Sequence, residues 1–122
     1  MKRSPLRRRA VGTKANLSRK LRRLWQEGVK GKCWKCGLRN ATVGHHLITS
    51  RRKAYCYSIE NRFNACEDCH RWIHANPAMF NLWLKNNRSD KYQWYIDHLH
   101  KPGPTMTLSR MKEKEKELES AF

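Results

Sequence analysis

The sequence predicts a small α+β fold in which helices flank a short cysteine- and histidine-rich centre. Between residues 33 and 74 lie all five cysteines and four of the six histidines. On either side of that stretch, apolar residues recur at helical spacing between start and stop signals. A third observation sets the scale. The 122 residues, 39% of them hydrophobic, are enough for one domain but bury little core, so the fold needs a staple.

Residues 1–15 are rich in charge and poor in periodicity, and read as a mobile basic arm. Asn16 is an N-cap candidate for a helix whose face is Leu17, Leu21, Leu24 and Trp25, and Gly28 ends it. Lys30–Lys32 is a short linker. Beyond the centre, Asn76-Pro77 combines a cap with proline at the first helical position. Met79, Phe80, Trp83 and Leu84 give that helix its apolar face, and Asn86-Asn87 stop it. A further helix starts at Ser89 or Asp90, with Trp94, Tyr95, Ile96 and Leu99 as contacts. Pro102-Gly103-Pro104 breaks the chain, and Thr107 or Ser109 caps a last helix over 109–120, supported by i,i+4 charge pairs in its KEKEKELE run. The expected organisation is an arm (1–15), a domain (16–100), and a linker with a charged helix (101–122).

The charge narrows the function. Lysine and arginine number 27 against 10 acids, a formal charge of +17, and ten of those cations fall in residues 1–23 with no acid among them. Such a balance argues against a small neutral ligand alone and for a polyanion, nucleic acid or an anionic membrane surface. No apolar run is long enough to span a bilayer, and the charged start is followed by no apolar signal-like stretch, so an intracellular location, cytoplasmic or nucleoid-associated, is expected. Attachment to a membrane surface needs more apolar face than Leu17, Leu21, Leu24 and Trp25 supply, so no membrane partner is expected. Arg19, Lys20, Arg22 and Arg23 are candidates for phosphate contacts.

Cys33-x2-Cys36 and Cys66-x2-Cys69 are two C-x2-C knuckles with 29 residues between them. Each is a tight turn that aims two sulfurs at one point, and Gly37 suits the turn after the first pair. Together they place four thiolates around a structural Zn²⁺. Disulfides or buried thiols are the alternatives, and disulfides fit poorly in a reducing compartment. Cys56 is left over and reads as a small buried apolar residue on a strand.

His45 and His46 are adjacent, Asn61 follows, and His70 and His74 sit at i and i+4. On a helix His70 and His74 share one face and can chelate one ion. On a strand, neighbouring residues point to opposite faces, so one of His45 and His46 can enter a metal cluster while the other does separate work. Phosphodiester hydrolysis calls for that division: a metal for the phosphate charge and a neutral imidazole for the proton of water.

Taken together, Cys33/Cys36, His45-His46, Asn61 and Cys66/Cys69-His70 resemble the HNH, or ββα-metal, endonuclease family. The H-H pair with a closing H-x3-H is similar to the nuclease domains of the DNase colicins. The order of C-x2-C, Gly-His, Asn, C-x2-C and an apolar helical tail is also similar to the lambdoid phage NinG/Rap recombination endonucleases, which implies a phage-like origin. The motif covers residues 33–74. The resemblance implies a ββα core, with strands around His45-His46 and Tyr55–Ser58 and a helix from about Glu67. It implies that His45, His70 and His74 bind a catalytic divalent ion, that His46 is the general base, and that Asn61 pins the loop between the strands and so orients His46. The four cysteines would stay structural.

Two departures from the family pattern matter. His45 stands where an acidic residue is usual, which favours imidazole-loving ions (Ni²⁺, Mn²⁺ or Zn²⁺) over Mg²⁺. The lysine often found after C-x2-C-His is absent, with Trp72-Ile73-His74 in that region; a two-histidine site completed by water would also serve. Arg51, Arg52 and Lys53, in the loop between the strands, are candidates for phosphate contacts beside the cut, with a solvated charged loop as the alternative. The reading is a metal-dependent endonuclease acting on duplex or branched DNA, with RNA left open. The alternative is a non-catalytic zinc module that binds nucleic acid, which explains the charge and the cysteines but not the histidines.

Overall fold

The computed structural model describes residues 5–121, with side chains from Thr13 onward. Along the chain run α1 (Pro5–Glu27), β1 (Val43–His46), β2 (Arg62–Ala65), α2 (Glu67–Ala75), α3 (Pro77–Asn87), α4 (Ser89–Leu99) and α5 (Leu108–Ser120). A single 3-10 turn, Ile59–Asn61, leads into β2. The architecture is a small α+β fold. β1 and β2 are antiparallel, pairing Val43 with Ala65, Gly44 with Asn64, His45 with Phe63 and His46 with Arg62.

Period-two alternation sorts these residues onto two faces. Gly44, His46, Arg62 and Asn64 face α1. Val43, His45, Phe63 and Ala65 face α2 and α3. Each face carries its own core. Toward α1 lie Leu21, Leu24, Trp25, Cys56, Tyr57, Met106, Met111 and Leu118. Toward α2 and α3 lie Cys33, Phe63, Ala65, Cys66, Ile73, Phe80 and Leu84.

The expected boundaries for the helices after the centre hold. Pro77 opens α3 and Thr107 caps α5, its side chain accepting from the Arg110 amide. Three expectations are corrected. First, the arm over residues 1–15 is helical from Pro5 onward, and residues 1–4 lie outside the described part. Asn16 is therefore inside α1 rather than its cap, and its side chain accepts from the Arg19 guanidinium.

Second, the strand expected at Tyr55–Ser58 is a run of turns, with Tyr55, Ser58 and Asn61 each donating its amide three residues back. Cys56 and Tyr57 are buried against α1 and α5 rather than on a strand, and Tyr55 packs on Trp94 and His98 of α4. The second strand is Arg62–Ala65, whose polar Arg62 and Asn64 mask it in sequence.

Third, α5 is held by tertiary packing. Met111 and Leu118 are buried against α1, Lys20 pairs with Glu115 and Glu119 across the two helices, and the ion pair described within α5 is Lys114–Glu117 at i,i+3. No helix among the described residues is long and apolar enough to cross a membrane.

Candidate functional site

The knuckles bring Cys33, Cys36, Cys66 and Cys69 together with their sulfurs all within 4.8 Å of one another. None of the cysteines is disulfide-bonded. The Cys36 and Cys66 sulfurs are 4.0 Å apart, against about 3.8 Å for two corners of a tetrahedron with zinc–sulfur bonds of about 2.3 Å. Backbone amides of Lys35 and Cys69 donate to Cys33 Sγ and Cys66 Sγ, each at 3.4 Å. Gly37 turns the first knuckle at φ +68°, a conformation side chains disfavour. The amides of Arg39 and Leu38 pull Cys36 down to about 6, while burial and the Cys66 and Cys33 thiols push Cys69 up to about 12. Four crowded thiols cannot all ionise unaided, and a divalent cation removes that conflict. The four cysteines thus form a site that could hold a metal ion such as zinc.

The second cluster is His45, His70 and His74, whose ring nitrogens also lie within 4.8 Å of one another. His70 and His74 share a face of α2, with their Nε2 atoms 3.0 Å apart. Two imidazole nitrogens on one tetrahedral ion at about 2.05 Å would be about 3.3 Å apart, so the pair is nearly preset for chelation. His45 reaches them from β1, its ring 5.3 Å from His70 and 5.1 Å from His74. Phe80 closes the other side edge-on at 5.7 Å. Burial, then the charges of His70 and His74, pushes His45 down to about 3, and burial also lowers His70. Rings held neutral keep their lone pairs for a cation. The donor set is all imidazole, which fits borderline transition ions better than Mg²⁺.

His46 leaves that cluster for the other face. Its Nε2 is 2.9 Å from the Cys56 carbonyl oxygen, and its ring stacks on Trp25 at 4.0 Å and 9°. Burial lowers its pKa, the Cys56 carbonyl opposes that shift, and the positive charges of Arg22 and Lys53 add to it. A cleft of about 250 Å³ opens at the ring, with Arg22, Ser50 and Lys53 on its walls.

Asn61 is fully buried and fastens the loop between the strands. Its Oδ1 accepts from the Ile48 amide at 2.6 Å, and its Nδ2 donates to the carbonyls of Ile48 at 3.0 Å and Tyr55 at 3.1 Å. The loop so held carries the Cys56 carbonyl.

The cations divide. Arg22 and Lys53 line the cleft, and Arg51 is exposed. Arg52, a candidate for phosphate contact, instead donates to the carbonyls of Leu99 and Lys101, where the end of α4 leaves carbonyls without helical partners. Lys20 is paired with Glu115, Arg23 with Glu27, and Arg19 donates to Asn16.

Sequence reasoning missed three residues. Gln26 clasps β1 by accepting from the Gly44 amide at 2.8 Å and donating to the Gly44 carbonyl at 3.1 Å. Arg62 donates to the Trp25 carbonyl at 2.8 Å and holds the indole over His46. Trp25 itself read only as helix core. Gly44 allows this approach, because a Cβ there would lie 2.8 Å from the indole. Glycine before the histidine pair was the one available signal.

No protein-family model, curated protein or solved structure matches the chain.

Proposed function

We propose that the chain is a metal-dependent endonuclease of the HNH type, hydrolysing phosphodiester bonds in DNA. The observation that carries this reading is the division between two adjacent histidines: His45 joins His70 and His74, while His46 lies across the strand in a separate cationic cleft. A structural zinc site alone gives no reason for that second cluster.

A carbonyl oxygen only accepts, so the Cys56 contact fixes the proton on His46 Nε2 and leaves the lone pair on Nδ1. Burial keeps the ring neutral at pH 7. Nδ1 then takes the proton of a water attacking phosphorus. The imidazolium that results is stabilised by the Cys56 carbonyl, and the Trp25 face keeps the ring from rotating. Arg22 and Lys53 hold the phosphate against the cleft. A divalent ion on His45, His70 and His74 would supply positive charge to the phosphate and to the departing 3′ oxygen. The family likeness implies a 5′-phosphate product.

The test is nicking of supercoiled plasmid by wild type and His46→Ala in Mg²⁺, Mn²⁺, Ni²⁺ and Zn²⁺. Wild type should cut with at least one ion, and the variant should lose about 10²–10⁴-fold in rate while keeping its fold. Plasmid binding without cutting in any ion would make the chain a non-catalytic zinc module. Equal cutting by the variant would remove His46 from the base role.

A further inference from the structure

A second groove adjoins the His46 cleft. It has a volume of about 500 Å³ and almost wholly apolar walls, formed by Ala15 on α1 and by the exposed edges of the otherwise buried Tyr57, of Met106 just before α5 and of Met111 in its first turn. Lys14 and Lys53 stand on its rim. Lys53 and Tyr57 belong to both cavities, so the groove continues the cleft in which the phosphate would sit. The volume falls in the usual range for a small-molecule pocket.

We propose that this groove receives one unstacked nucleobase of the strand whose phosphodiester lies at His46. This rests on the nuclease reading and adds a substrate class to it: strands with an unpaired nucleotide beside the scissile bond. The chemistry agrees at each point. A base is a flat, largely apolar group attached through its sugar to an anionic backbone. The groove offers apolar surface for the base, from Ala15 and the small exposed edges of Tyr57, Met106 and Met111, and lysine ammonium groups for the phosphates on either side. A base held in a duplex stack cannot reach such a wall, so entry requires a nucleotide that is single-stranded or extruded. The recognition would tolerate any base, since the walls offer few polar groups to read its edge.

The experiment compares affinities, at one salt concentration, of an eight-nucleotide thymidine strand, an abasic strand of equal length and charge, and a duplex of the same length. Matching the charge cancels the contribution of the basic helix. Wild type should bind the thymidine strand about tenfold more tightly than the abasic one, the scale of burying part of one base against an apolar wall. Ala15→Phe, which fills the groove from a helix position remote from His46, should abolish that preference while leaving abasic affinity and helix content intact. Leu38→Ala, at an exposed residue outside the groove, should keep the preference. Equal affinity for thymidine and abasic strands overturns the proposal, as does a preference that survives Ala15→Phe. A concentration-dependent dimer of wild type that Ala15→Phe dissolves also overturns it, by giving the groove to a second copy of the chain. Loss of plasmid nicking would not mimic these results. A base preference without nicking sinks the nuclease reading alone, and nicking without a base preference sinks the groove alone.

Discussion

The two faces of the β1–β2 sheet are built by different means. The face toward α2 and α3 packs Phe63, Ile73, Phe80 and Leu84 around two buried knuckle cysteines, and its polar members are imidazoles gathered as for an ion. Among the described residues, the face toward α1 and α5 uses no such cluster. There the Trp25 indole stacks on His46, the Arg62 guanidinium donates to the Trp25 carbonyl, and the Gln26 amide clasps Gly44. The contrast teaches how neighbouring residues of one kind acquire separate surroundings. Strand alternation sends His45 and His46 apart, and each then takes the chemistry of the core it enters.

The sharpest way to break this comparison is to remove the staple. Cys66→Ser, or a strong chelator, should cost on the order of 10 kcal/mol and unfold the α2–α3 side, seen as lost zinc and lost helical circular dichroism. An unchanged melting curve would show that this core stands without metal. On the other face, Trp25→Ala should cost about 3–5 kcal/mol with zinc content unchanged, measured by urea unfolding. Trp25→Phe should recover most of that stability and of the nicking rate, because a flat ring still covers His46.

Gly44→Ala is a finer probe of the same face. Its Cβ would meet the Trp25 ring at 2.8 Å and Arg62 Cγ at 2.9 Å, and the stem of an arginine yields more readily than a packed indole. A loss of about 1–3 kcal/mol is expected, with the indole displaced from His46 and fluorescence altered. The smallest effect is one of pH. Burial and the neighbouring imidazoles hold His45 near 3, against an ordinary 6.5. Below the ordinary value the unfolded chain binds more protons than the folded one. Stability is therefore full above about pH 6.5 and declines as pH falls, by roughly 1 kcal/mol per unit from His45 alone. An ion on the three histidines steepens the decline, since it too binds neutral imidazole. Urea midpoints at pH 7.5 and 5 read this directly, and His45→Gln should flatten the slope.

Much of the site is written locally, and so was legible. Two C-x2-C turns, histidines at i and i+4, and a proline after Asn76 carry their geometry within a few residues. The second strand was not legible, because Arg62 and Asn64 look like loop residues until Trp25 and the sheet bury them. Tyr55–Ser58 misled for the opposite reason: an apolar run buried by helices α1, α4 and α5 rather than by a strand partner. Arg52 read as a free cation because nothing nearby in sequence announces the carbonyls of Leu99 and Lys101 that take it.

By itself the sequence determined that four cysteines could gather around a metal ion, the chain's excess of positive charge and most of its helix boundaries. These depend on side-chain type and on contacts within one or two turns. The tertiary structure alone decided which histidine meets α2 and which meets Trp25, which cations remain at the cleft, and that a helix expected to be held by its own charges is buried against α1. Each of those outcomes is fixed by packing between segments tens of residues apart, where the energy of burial outweighs local preference.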